Sequence, residues 1–107
     1  MKKRTFNYYQ DPSHGWVKVP VKLLQKLNIA NEISSFSYFR GDYAYLEEDL
    51  DASLFDKSMV ENGFGTIYKQ FHTNKSSKIR NYKSYCSREI FGTGLLNKNE
   101  TEKSLQV

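Results

Sequence analysis

The sequence has a single cysteine, Cys86, so it has no internal disulfide, in keeping with a reducing compartment. It has only two histidines, and no HxxxH, HxH or CxxC spacing, so no one element presents two metal ligands. No apolar run approaches the roughly 20 residues that cross a bilayer. "MKKR" opens like a secretory leader, but "TFNYYQDP" follows where the apolar core of a leader would stand. The expectation is a cytoplasmic protein with no membrane segment. There is no internal repeat and no low-complexity block, and 107 residues leave room for one core.

Aromatic rings and segregated charge are what the chain does have. Eight Tyr and seven Phe supply much of the burial energy open to so small a domain, and leave rings for the surface. The net charge of +4 conceals three blocks. Residues 1–26 carry six Lys or Arg against Asp11. Residues 41–65 carry seven acids against Lys57. Residues 66–88 carry Lys69, Lys75, Lys78, Arg80, Lys83 and Arg88 and no acid. Such blocks form opposed faces, one suited to an anionic partner, or pair with one another across the fold.

The periodicities predict an α+β fold: a small, mostly antiparallel sheet with two short helices, in the order β-β-α-β-β-α-β. Residues 5–9 and "WVKV" alternate as strands. Pro20 opens a helix whose apolar stripe is Pro20, Leu23, Leu24 and Leu27, and Asn28 ends it in the left-handed region. "RGD" marks the turn of a hairpin over residues 34–46. Asp49 or Asp51 caps a second helix with Ala52, Phe55 and Met59 inward and Gly63 at its end. "TIYKQFH" is a further strand, and "IRNYKSY" a last strand or extended arm. Residues 1–91 form the domain, and 92–107 a disordered polar tail.

"DPSHGWVKVP" concentrates a proline, a glycine, a histidine and the only tryptophan. Asp11, His14 and Tyr9, joined by His72 or Cys86, would be the makings of an acid–base or metal site, but only through long-range contacts. Turn chemistry accounts for the stretch more simply: the Asp side chain bonds the backbone two residues on, and Gly15 permits the bend into a strand. The expectation is a binding protein and not an enzyme, with neither cofactor nor metal.

"HTNKSSKIRNYKSY" is the stronger functional segment. Lys75, Lys78, Arg80 and Lys83 lie close together with Tyr82 and Tyr85 interleaved. Phosphates take cations and small hydrogen-bond donors, and exposed bases stack on tyrosine rings. The segment is equally an edge strand protected by lysines. With Lys18 and the amino-terminal "KKR", residues Lys75, Lys78, Arg80, Tyr82 and Lys83 form the expected nucleic-acid contact. In "LEEDLDASLFD" the carboxylates lack the glycine and spacing of a calcium loop. Asp42, Glu47, Glu48 and Asp49, with Trp16, instead form the expected contact for a basic protein partner.

Residues 15–48 resemble the AbrB/MazE-type swapped-hairpin domain. Val17 to Pro20, the helix to Leu27-Asn28-Ile29, and the hairpin around Gly41-Asp42 follow that family's order of strand, "IP", helix ending in "LGI", and hairpin. The resemblance implies a homodimer that interleaves hairpins and binds DNA through bases near the first strand. An arginine is common in the family where this chain has Trp16, so Lys18 is the nearest base. By size and composition the chain also looks like the small cytosolic proteins of phages and other mobile elements. That likeness implies an inhibitor of a host protein such as a defence nuclease.

Overall fold

The structure is a computed structural model that describes residues 1–95. Its strands are β1 (Lys2–Gln10), β2 (Gly15–Pro20), β3 (Tyr38–Arg40), β4 (Tyr43–Glu47), β5 (Phe64–His72) and β6 (Lys83–Ser84). Its helices are α1 (Val21–Lys26), α2 (Asp51–Glu61) and α3 (Ser87–Leu95), with a 3-10 turn at Lys78–Asn81. The strands form one six-stranded sheet in the order β5-β1-β2-β4-β3-β6. Four pairings are antiparallel, and β1 with β5 is parallel over residues 2–10 and 64–72. The fold is therefore α+β, built on a mixed sheet.

Alternation along the strands divides the side chains between two faces. One face carries Phe6, Tyr8, Val17, Val19, Ala44 and Leu46, and all three helices pack there. Phe55 of α2 meets Phe6 edge-on, with ring centroids 5.0 Å apart. Leu24 of α1 and Phe91 of α3 complete that core. Among the described residues, the other face carries no helix, and only the 74–82 segment crosses it, setting Ile79 among Trp16, Tyr45 and their tyrosine neighbours.

Several expected local features are present. Asn28 takes φ +62° at the end of α1, and Gly63 takes φ +88° after α2. Gly41 at φ +59° opens the two-residue β3–β4 turn, the residue type this turn requires in that region.

Others differ for identifiable reasons. Neither Asp49 nor Asp51 caps α2, because the buried Asp51 carboxylate bonds Ser34 N, Ser34 Oγ and Ser37 Oγ. "IRNYKSY" is not one strand: Ser77 Oγ accepts from Ile79 N and winds residues 78–81 into the 3-10 turn, leaving two residues for β6. A third helix, α3, begins at Ser87 and bends at Gly92, where φ is +75°. Residues 92–95 thus belong to α3, and the rest of the expected polar tail lies outside the described residues. Among the described residues, no helix is long and apolar enough to cross a membrane.

Candidate nucleic-acid interface

The helix-free face is basic because of strand register. In register order it presents Lys3, Thr5, Asn7 and Tyr9 from β1, with Ile67, Lys69 and Phe71 beside them on β5. β2 and β4 add Trp16, Lys18, Tyr43, Tyr45 and Glu47, and β3 adds Tyr38 and Arg40. Glu47 is the sole acid among these strand positions. The carboxylates of the acidic block lie mostly elsewhere. Glu48 and Asp56 flank a groove on the helix-covered side, where Tyr8 Oη and Tyr68 Oη donate to them at 2.7 and 3.0 Å. Burial and these carboxylates push both phenols up to about 12.

Rings and cations alternate across the open face. Phe71, 39% exposed, stacks on Tyr9 with centroids 5.2 Å apart and planes 23° apart. Lys69 Nζ lies 5.5 Å from the Phe71 ring centre, and Lys18 Nζ lies 4.3 Å from that of Tyr43, itself 41% exposed. Arg40 covers Tyr82 at 5.2 Å, and Tyr82 packs against Tyr45 at 5.1 Å. Tyr45 is buried among Trp16, Ile79 and Tyr82, and that burial pushes its phenol up to about 12.

One ion pair anchors the crossing segment. The Asp11 carboxylate, which is buried, accepts from Arg80 Nε at 2.6 Å and Arg80 Nη2 at 2.9 Å. It also accepts from the backbone N–H groups of Ser13, His14 and Ser77. Arg80, first among these partners, holds the carboxyl well below the usual carboxylate range, and Asp11 in turn raises the arginine. The guanidinium lies 5.3 Å from the Trp16 ring centre. Arg80 is thereby a structural tie as well as a cation.

The residues singled out in the sequence fall into separate places. Lys75 and Lys78 are exposed and line a pocket with Tyr9 and Phe71. Lys18 lies half-buried beside Tyr43 on the same face. Tyr82 packs on the sheet. Lys83 pairs with Glu89 at 2.8 Å on the surface, which raises the lysine. Trp16 is 2% exposed and offers little of its ring to a partner. Asp42 sits in the β3–β4 turn, away from Glu48, so Asp42, Glu47, Glu48 and Asp49 do not form one patch; Glu47 and Asp49 alone gather beside Trp16. Among the described residues, Asp11 forms no hydrogen bond with either imidazole, and no three His, Cys, Asp or Glu side chains group to hold a metal.

Sequence reasoning missed Arg40, Lys69 and Phe71 as members of this face, while Lys3 belongs to the amino-terminal "KKR" expected to take part. The alternation of "TIYKQFH" already put Ile67, Lys69 and Phe71 on one side, and the parallel pairing with β1 supplied the rest. The Asp11–Arg80 tie, between residues far apart in sequence, left no local signal. Comparison of the chain with protein-family models, with curated proteins and with solved structures found no match.

Proposed function

We propose that the chain is a non-enzymatic nucleic-acid-binding protein that lays a single strand across the helix-free face of its sheet. The observation that carries this reading is the one-sidedness of the sheet. Lys3, Lys18, Arg40 and Lys69 interleave with Tyr43 and Phe71 on the face that no helix covers, and Lys75 and Lys78 rise beside them. Cations held next to exposed rings can take phosphates while bases stack on the rings, which is the chemistry of single-strand binding. A duplex keeps its bases stacked inside and would use only the cations.

Fluorescence anisotropy of labelled single-stranded and duplex oligonucleotides at two salt concentrations tests this. The expected result is tighter binding of the single strand, with an affinity that falls as salt rises. Lys75→Glu with Lys78→Glu is expected to weaken binding at least tenfold with an unchanged melting temperature, since both side chains are exposed. Arg80 is kept intact because its loss would release the segment. Equal affinity in the double variant, or no binding at low salt, would overturn the proposal.

A further inference from the structure

The stretch "DPSHGW" takes part in a pocket that lies apart from the stacking rings described above. Its volume is about 350 Å³, and the buried Trp16 contributes to its lining. His14, Arg80, Glu47 and Asp49 line it together. Phe36, 71% exposed, and Leu50, 55% exposed, form an apolar rim. Tyr38 meets Trp16 edge-on at 6.2 Å, and the His14 ring lies 6.2 Å from the indole.

The hydrogen-bond inventory shows what these walls have left to offer. Arg80 spends Nε and Nη2 on Asp11, and its Nη1 has no hydrogen-bond partner among the described residues. Glu47 Oε1 accepts from Leu50 N at 3.1 Å, and its Oε2 has no partner among them. Asp49 is exposed beside it. The pocket therefore presents unused acceptors and an unused donor beside aromatic and aliphatic surface. A matching ligand is flat and apolar on its faces and carries both N–H donors for the carboxylates and an acceptor for the guanidinium.

We infer that this pocket, with its acceptors on Glu47 and Asp49, its free donor on Arg80 and its aromatic lining, binds an unpaired guanine base. Guanine offers N1–H and N2–H as adjacent donors to a carboxylate, and O6 and N7 as acceptors to a guanidinium. Adenine lacks the paired donors. Neutral cytosine and uracil likewise lack a ring N–H beside an amino group, the paired donors that guanine offers. The inference rests on the nucleic-acid reading above and adds base selectivity to it.

The test uses the single tryptophan, which reports directly on its own pocket. Full-length protein is titrated with GMP, AMP and UMP while Trp16 fluorescence is followed. In parallel, labelled thymidine oligonucleotides with and without one central guanine are titrated by anisotropy. GMP is expected to quench Trp16 saturably and at least tenfold more tightly than AMP or UMP, and the guanine-containing oligonucleotide to bind at least tenfold better.

Glu47→Gln keeps the oxygen that accepts from Leu50 N, and Asp49→Asn alters an exposed side chain, so the fold is expected to survive both. Together they are expected to remove the guanine preference while leaving binding of the plain thymidine strand intact. Oligonucleotides that bind without any guanine preference, with no GMP response, would overturn the pocket assignment and leave the nucleic-acid reading standing. GMP binding without oligonucleotide binding would overturn that reading and keep the pocket. Failure of both would overturn both, and leave the acidic, aromatic corner to a basic protein partner.

Discussion

The two faces of this sheet are held in different ways. The helix side is closed by apolar contact: Phe6, Val19, Leu24, Leu46, Phe55 and Met59 pack into a dry layer under three helices. The open side is covered only where the 74–82 segment crosses, and an ion pair joins that segment to the β1–β2 turn. Apolar packing is broad and undirected, so it tolerates loss of any one polar bond. The crossing segment buries Ile79 and depends for the rest on Asp11 and Arg80. The comparison assigns stability to one face and leaves cations and rings available on the other.

The sharpest way to break that assignment is at Phe55, which is fully buried at the α2–sheet contact. Phe55→Ala is expected to cost about 3–5 kcal/mol through lost burial and the cavity left behind. Urea denaturation would measure it. If stability lived equally on the open face, a substitution there would cost as much, and Phe71→Ala is the matched control considered below.

Asp11 sits between the two regimes. Asp11→Asn is expected to cost about 2 kcal/mol, less than a fully buried pair because Arg80 is partly solvated. The cost should appear as release of the crossing segment, seen as faster hydrogen exchange at Ser77 and Ile79. The pH dependence has a definite sign. The folded chain holds this carboxyl below its ordinary value, so the unfolded chain binds the proton more readily. The contribution is complete above about pH 5 and falls progressively as pH drops below about 4, where an unfolded aspartate titrates. Asp11→Asn is therefore expected to flatten the acid side of the stability profile and lower its plateau.

Much of the architecture was legible because it rests on local chemistry. Pro20, Asn28, Gly41 and Gly63 mark boundaries through backbone preferences that need no distant partner, and the alternation in "TFNYY" and "TIYKQFH" declared two strands. The parallel pairing of those strands was not legible, since it joins residues more than sixty positions apart and leaves no local signal. The site divides along the same line. Lys75, Lys78 and Lys18 were visible as charge, whereas the roles of Asp11, Arg80 and Trp16 emerge only when the β1–β2 turn meets the 3-10 turn. Turn chemistry at Asp11 in "DPSHGW" follows from local spacing, since its carboxylate accepts from the N–H groups of Ser13 and His14. That the same carboxylate also reaches Ser77 and Arg80 required the third dimension.

The smallest expected change in stability is the most informative for function. Phe71→Ala removes a ring that is 39% exposed and stacked on Tyr9 alone at the sheet edge. Its cost is expected to be about 1 kcal/mol, well below that of Phe55→Ala, because a partly exposed ring at the sheet edge loses less burial and its removal leaves no enclosed cavity. Stacking of a base on an aromatic ring is worth about 1–3 kcal/mol, so the same substitution is expected to weaken single-strand binding by about 5- to 100-fold. Lys69 would remain to attract the phosphate, which predicts an unchanged salt slope beside the lower affinity. Urea titration and anisotropy on one preparation measure both quantities. A stability loss comparable to that of Phe55→Ala would erase the distinction between the faces, and unchanged affinity would remove Phe71 from the binding path.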